Sequence, residues 1–183
     1  MRKIPTLDTP RLILRPFKLE DAPIIAELGN DKDIATNTEN LPFPYEEPMA
    51  RQWIACHDDM YEHGTLLNLA IVLRKQNKLM GAIGFDFNYK YDHAELGYWL
   101  GRPYWGVGYA TEAARRMLHY GFMDLNLHRI HSCHLTITPI SGRVLQKVGM
   151  QHEGCFRGHI KKWGEYLDLE HYGILREEYL QRI

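Results

Sequence analysis

The chain has 183 residues, a formal net charge of -1, 45% hydrophobic residues and 25% charged ones. This is the balance of a globular protein, with enough chain for one domain, 1–183, to bury its core without disulfides or a structural metal. Near-neutral charge excludes the broad basic surface that nucleic-acid binding needs, and no stretch approaches the ~20 apolar residues of a membrane span. The three cysteines, Cys56, Cys133 and Cys155, are too far apart for a disulfide framework or a CxxC site. A reducing cytoplasm is the expected compartment. The N-terminus, Met1-Arg2-Lys3-Ile4-Pro5-Thr6, has basic residues but no apolar run after them, so it does not read as a secretory signal.

In chain order, strand and helix signals alternate. Residues 11–15 read as a first strand, and 19–29 as a helix stopped by Gly29-Asn30-Asp31, a cap and turn signal. Leu41-Pro42-Phe43-Pro44 reads as an extended linker, because proline blocks both ladder and helix. Residues 47–63 read as a second helix with Gly64 as its stop. Residues 66–73 and 79–87, joined by a turn at Gln76-Asn77, read as a hairpin, and 93–100 as the next strand. A glycine turn then opens a helix running to about Met123. A strand over 128–137, a helix over 139–148 capped by Gly149, and two closing strands over 151–160 and 166–175 complete the series. Without repeats, low-complexity segments or an interdomain linker, the pattern predicts an α/β (α+β) fold, a mixed sheet flanked by helices.

The segment Trp105-Gly106-Val107-Gly108-Tyr109-Ala110-Thr111-Glu112-Ala113-Ala114 is the most informative. Past its glycines, Ala110, Ala114, Met117, Leu118 and Gly121 fall on one helical face, and Glu112, Arg115, Arg116 and His119 mostly off it. No Ser, Thr, Asp or Asn stands just before this helix to cap its first N–H groups. Bare N–H groups at a positive dipole end, reached through glycines, suit a phosphate or pyrophosphate. An ordinary tight turn into a core helix fits the glycines equally well. Two nucleotide motifs do not fit. A Walker loop ends in Gly-Lys-Ser/Thr, whereas Gly108 is followed by Tyr109-Ala110. A dinucleotide fingerprint has a third glycine where Thr111 stands, and an acidic residue where the chain reads His128-Arg129-Ile130.

Taken with Glu95-Leu96-Gly97-Tyr98-Trp99-Leu100 and Pro103-Tyr104, this segment resembles the acetyl-CoA motif of the GNAT N-acetyltransferases, and most closely their RimJ/RimL-like branch. Thr9-Pro10-Arg11-Leu12-Ile13-Leu14-Arg15-Pro16 resembles the opening strand of that branch. The stretch from Ser141-Gly142-Arg143 through Gly149-Met150 resembles its second cofactor helix. Gly154-Cys155-Phe156-Arg157, with Asp168 and Tyr172-Gly173-Ile174-Leu175, resembles its closing hairpin. The resemblance implies a GNAT-type sheet, mixed and mostly antiparallel, whose central strands splay apart around acetyl-CoA. It implies transfer of an acetyl group to a primary amine, with a protein or peptide N-terminal α-amine as leading acceptor. The alternatives are a small amine (polyamine, amino acid or antibiotic), or an acyl-CoA-binding module without turnover. Subunits in the family often pair, so a homodimer is also an expectation.

Carried onto this chain, the resemblance puts the pyrophosphate on Gly106, Val107, Gly108, Tyr109, Ala110 and Thr111. The pantetheine arm falls along Tyr98, Trp99 and Leu100, and further cofactor contacts fall to Thr138, Ser141, Val144 and Lys147. A backbone N–H near Leu100 would polarise the thioester carbonyl. The family's usual Asn is Thr138 here, in Thr138-Pro139-Ile140-Ser141. Thr138 is expected to serve as N-cap, with Pro139 at the first helical position. Ser141 is the group implied to protonate the departing thiolate, and otherwise reads as a structural hydroxyl. An amine is protonated near neutral pH, so a base must take its proton. Glu95 is the candidate base, and its alternative is a strand carboxylate paired with His93 or Arg102.

Weaker signals complete the reading. Asp168 and Glu165 are secondary candidates for gripping the acceptor. Glu46, Glu47, Asp58, Asp59 and Glu62 would form an acidic rim attracting a cationic amine, or simply a solvated helix face. Tyr89, Tyr91, Tyr98, Trp99, Tyr104, Trp105 and Tyr109 read mostly as core and tunnel wall. The cysteines read as small buried residues without an acidic or histidine partner for catalysis. His128, His131 and His134 alternate faces in a strand, which argues against a shared metal site.

Overall fold

The computed structural model describes residues 3–182, so Met1, Arg2 and Ile183 lie outside the described residues, and with them the start of the basic N-terminal stretch. A short strand β1 (Leu7–Asp8) and β2 (Leu12–Pro16) lead through a single 3-10 turn into helices α1 (Ala22–Gly29) and α2 (Lys32–Asn37). Helices α3 (Glu47–Ala55) and α4 (His57–Glu62) precede the hairpin of β3 (Leu66–Leu73) and β4 (Lys78–Asn88), and then β5 (His93–Leu100). Helix α5 (Tyr109–His119) crosses over to β6 (Arg129–Leu135), followed by α6 (Pro139–Lys147), β7 (Gln151–Lys162), β8 (Glu165–Leu175) and α7 (Arg176–Leu180). Among the described residues no helix is long and apolar enough to cross a membrane.

The eight strands form one sheet in the order β1-β2-β3-β4-β5-β6-β8-β7. Neighbours are antiparallel except β5 and β6, whose parallel pairing requires the α5 crossover. The central strands are apolar on both faces because both are covered. Leu67, Leu69 and Ile71 of β3 face the core formed with Ala114, Met117 and Leu118 of α5. Ala70 and Val72 face the opposite core, with Ile25 of α1 and Ile54 of α3. Met117 and Leu118 are fully buried, and each such side chain contributes about 1.5–3 kcal/mol.

Several elements depart from the sequence reading. The helix expected over 47–63 is interrupted at Cys56, whose ψ of -7° opens the turn between α3 and α4. The helix expected to reach Met123 is α-helical only to His119 and closes in a π turn over Tyr120–Asp124. The short elements β1, α2 and α7 had no sequence signal. Nor are the cysteines uniformly buried. Cys56 and Cys155 are exposed, one at the helix break and one on the edge strand β7, and Cys133 is half-buried.

His57 is buried against Phe17 and Trp53, and its Nε2 lies 3.2 Å from the Asn68 amide. Burial lowers its pKa from 6.5 to about 4. The unfolded chain therefore binds this proton more readily, and the stabilisation is present above about pH 6.5 and lost as pH falls toward 4. His57→Gln is expected to flatten the acid side of the Tm–pH curve, by up to roughly 3 kcal/mol across that window. An unchanged acid slope would show that His57 does not carry it.

Candidate active site

The site begins where the central ladder stops. β5 and β6 pair only at His93, Ala94 and Glu95 with Arg129, Ile130 and His131. At the next step Ser132 Oγ donates to Leu96 O at 2.7 Å, so a side chain takes the place of a ladder bond. On the other side of β5, Gly101 N donates to Met80 O at 2.8 Å. Strand alternation then turns the backbone groups of Tyr98 and Leu100 away from β4 and toward the widening gap. The Leu100 carbonyl is taken by the Trp105 indole N–H at 2.6 Å, which leaves its N–H as the group on offer.

One wall of the gap is the glycine turn. Gly106 (φ 77°) and Gly108 (φ 87°) both sit in the left-handed region, where a side chain would be strained. Gly108 is the N-cap of α5, and no side chain caps the helix. An acidic residue, Glu112, stands in the first turn, where its charge would oppose a bound anion. It is neutralised locally. Glu112 accepts from Thr9 Oγ1 (2.6 Å), Arg11 N (2.8 Å) and Arg11 Nε (2.6 Å). Burial raises its carboxyl, but these bonds outweigh burial and hold it below the usual range. Arg11 also donates to Val107 O at 3.2 Å and lies over the Tyr109 ring at 4.6 Å. It therefore fastens the glycine turn to the start of β2, a positioning role visible only in the fold.

The opposite wall is α6. Thr138 occupies the N-cap position but does not cap the helix, because its hydroxyl donates back to Leu135 O at 2.7 Å. The turn is closed by Ser141 N donating to Thr138 O at 3.1 Å, with Pro139 in the first turn. Gly142 has no room for a Cβ, which would lie 2.5 Å from His134 Nε2, and this close approach sets α6 against β6. Ser141 Oγ then lies 2.8 Å from the Tyr98 hydroxyl. Burial, only partly offset by that bond, pushes the Tyr98 phenol up to about 12, so it keeps its proton at neutral pH.

Two cavities meet at this pair. One, of about 700 Å³, is lined by every residue to which the resemblance assigns cofactor contact: Tyr98, Trp99, Leu100, Gly106, Val107, Gly108, Tyr109, Ala110, Thr111, Thr138, Ser141, Val144 and Lys147. Arg143, which the sequence reading left out, joins Lys147 on its rim, and the two cations stand one helical turn apart. The other cavity, of about 870 Å³, contains Glu95. Asn37, Thr38, Tyr98, Trp99 and Ser141 line both cavities.

Glu95 pairs with neither His93 nor Arg102. Its Oε1 accepts from the Cys133 thiol at 3.2 Å, and Arg102 pairs with Asp33 at 2.8 Å. Burial is the largest influence raising the Glu95 carboxyl, and the charges of Glu39 and Asp86 add to it against the Cys133 bond. Cys133 has acidic partners after all. Burial, and after it these carboxylates, push its thiol far up, the opposite of nucleophile activation.

The predicted acidic rim is elsewhere, since none of Glu46, Glu47, Asp58, Asp59 and Glu62 lines the cavity. The carboxylates that do line it are Glu39, Asp86 and Glu95, with no Lys or Arg among the described lining residues. Asp168 accepts from Gly158 N at 2.6 Å, and neither it nor Glu165 reaches the cavity. Tyr89 and Tyr91 are exposed, whereas Tyr104, Trp105 and Tyr109 form cavity wall. The ligating side chains that converge among the described residues are Glu39, Glu95 and Cys133, not the histidines of β6.

A sheet opened between two parallel strands, with an uncapped helix end at the opening, defines an acetyltransferase of the GNAT type. The acetyltransferase (GNAT) domain family matches residues 11–151, and the chain belongs to that family. It is 32% identical over 175 residues to "Uncharacterized N-acetyltransferase p20" of Bacillus licheniformis, covering 95% of this chain and 98% of that one. The fold superimposes on RimL, a ribosomal L7/L12 α-N-protein acetyltransferase in complex with coenzyme A. There the TM-score is 0.85 at 17% identity, over 93% of this chain and 98% of the other. Spermidine N-acetyltransferase from Vibrio cholerae, in complex with CoA and spermine, gives 0.81 at 24% identity, over 94% and 99%. The chain is thus an N-acetyltransferase, with a fold shared by RimL and by the spermidine enzyme.

Arg11→Ala removes the bridge to Val107 and the counter-charge of Glu112, which keeps only Thr9 Oγ1 and the backbone N–H of residue 11 as donors. About tenfold weaker binding of coenzyme A by calorimetry is expected, the equivalent of one charge-assisted hydrogen bond. Unchanged affinity would show that the turn keeps its shape unaided.

Proposed function

We propose that this protein transfers the acetyl group of acetyl-CoA directly to a primary amine bound in the Glu95 cavity, both substrates being present together. The observation that carries this reading is the junction of two oppositely charged cavities at Tyr98 and Ser141. The smaller cavity suits the coenzyme. It offers uncapped N–H groups to a pyrophosphate, Arg143 and Lys147 to further phosphate charge, and unpaired strand backbone to the amides of a pantetheine arm. Acetyl-CoA supplies an activated acetyl thioester.

The chain's own groups then have separate tasks. Glu95, made more basic by burial and by neighbouring carboxylates, takes the proton of the incoming ammonium. The Leu100 N–H faces the gap and stabilises negative charge on the carbonyl oxygen. Tyr98 and Ser141 form a hydroxyl relay that returns a proton to the departing thiolate. Much of the rate comes from holding amine and thioester together at the junction.

The leading acceptor is a protein or peptide N-terminal α-amine, whose following residues an 870 Å³ cavity can receive. A second reading, a polyamine, is favoured by a lining with three carboxylates and no Lys or Arg among its described residues.

Thiol release from acetyl-CoA, measured with N-terminal peptides, spermidine and no acceptor, tests the assignment and ranks the two acceptors. Tight coenzyme binding without acceptor-dependent thiol would overturn it. Glu95→Gln is expected to lower kcat about 100-fold and abolish the acid limb of the pH–rate profile. An unchanged profile would reject Glu95 as the base. Tyr98→Phe is expected to lower kcat while leaving coenzyme affinity within about twofold, the pattern of a group used only in the transition state.

A further inference from the structure

The roof of the junction is a segment with little intrinsic reason to stay put. Helix α2 has six residues, too few to be stable alone. It is capped by Asp31, whose Oδ1 accepts from Asp33 N at 2.7 Å, and tied to the end of β5 by the Arg102–Asp33 ion pair. Ile34 and Ala35 are buried beneath it, and a further polar tie comes from the far edge of the sheet. Lys162 of β7 is buried, and its ammonium donates to Ala35 O and Thr38 O, the carbonyls at the C-terminal end of α2. The next residue, Glu39, enters the acceptor cavity.

There Glu39 Oε1 lies 2.9 Å from Cys133 Sγ, whose other contact is Glu95 Oε1 at 3.2 Å. The ligating atoms of all three lie within 4.8 Å of one another. A thiol has one proton and can satisfy one carboxylate at a time. The groups facing Glu95 are Asp86 opposite it on β4, Cys133 from β6, and Glu39 from the roof; His131 is its register partner on β6. Among the described residues no Lys or Arg lies inside the cluster; Glu39 also acts on Lys162 of β7, whose ammonium is taken by backbone carbonyls, and on His171 of β8, whose pKa burial lowers.

We propose that Glu39 is a positioning residue of the acceptor site, which selects acceptors arriving as cations and acts through Glu95, and that Lys162 holds it there by anchoring α2. This rests on Glu95 as the base of the proposed reaction. An ammonium entering between Glu39 and Glu95 is drawn in by both charges. Its proton passes to Glu95, which Glu39 makes the stronger base, and the neutral amine remains.

The experiment uses the full chain with Cys56→Ser and Cys155→Ser, so that Cys133 is its one thiol. Glu39→Gln is expected to raise acceptor KM at least fivefold, leave acetyl-CoA KM unchanged, and move the acid limb of kcat/KM to lower pH by roughly one unit. Lys162→Met is expected to raise acceptor KM in the same way, with recovery in Lys162→Arg. Alkylation of Cys133 by iodoacetamide gives a readout independent of turnover. It should run about fivefold faster in Glu39→Gln, because a neighbouring carboxylate suppresses the thiolate. An acid limb and acceptor KM that match the parent protein overturn the role of Glu39. A Lys162→Met enzyme with parental acceptor KM overturns the anchor. If the parent releases no thiol with any amine, the acetyl-transfer reading has failed instead. Alkylation then decides the placement of Glu39 by itself, equal rates overturning it.

Discussion

The hydrogen bond from Ser132 to the Leu96 carbonyl marks the point on which the molecule turns. Before it, β5 and β6 are ordinary parallel neighbours, and past it they separate. Unpaired backbone groups in a central strand are costly unless something else satisfies them. A ligand bearing amides of its own would regain that loss on binding, so in the proposed reaction the defect in the sheet is also a source of affinity. The two helices that follow β5 and β6 begin at the same gap. Their N-termini, with the glycine turn on one side and Thr138-Pro139 on the other, become the gap's walls without further design.

Charge divides the gap into two halves. The α5 end is a positive dipole terminus whose one nearby carboxylate, Glu112, is bound by Arg11 and Thr9, and whose far wall carries Arg143 and Lys147. Beyond Tyr98 and Ser141, the charge is carried by Glu39, Asp86 and Glu95. Asp86 and Glu95 stand directly opposite each other on adjacent strands, a pairing that destabilises the sheet. Such a conflict persists where it serves binding. In the proposed reaction, an anionic carrier and a cationic acceptor are sorted to opposite sides before either reaches the reacting centre.

The sheet was legible because its strands obey a period of two and its turns use glycine, proline and asparagine. The bounds of β3 and β5 agree with the sequence reading residue for residue. The lining of the smaller cavity was legible for a different reason: it comes from short continuous segments, the glycine turn and the first turns of α6. The acceptor side was not. Glu39 follows a six-residue helix without an apolar stripe, and Lys162 reaches α2 from more than a hundred residues away. Neither has a local signature. The acidic residues that looked important lie on exposed turns of α3 and α4, where sequence spacing gives the helix face but not what lies across from it. The burial of the cysteines was misjudged for the same reason, since β7 occupies the sheet edge and Cys133 opens into a cavity.

The substitution of Thr138 for the family's usual Asn can be weighed on geometry. A side chain that only capped α6 would be replaceable by any short hydroxyl, but this hydroxyl is committed to Leu135 O. The position of Ser141 is fixed instead by three other features. Its own N–H closes on Thr138 O, Pro139 sets the first turn, and Gly142 lets the helix rest against His134. None of these depends on what the side chain at 138 does toward the coenzyme. The change therefore removes one polar contact from the wall of the smaller cavity and leaves the Tyr98–Ser141 pair where it is. In the proposed reaction its effect falls on coenzyme affinity rather than on the proton transfer that follows.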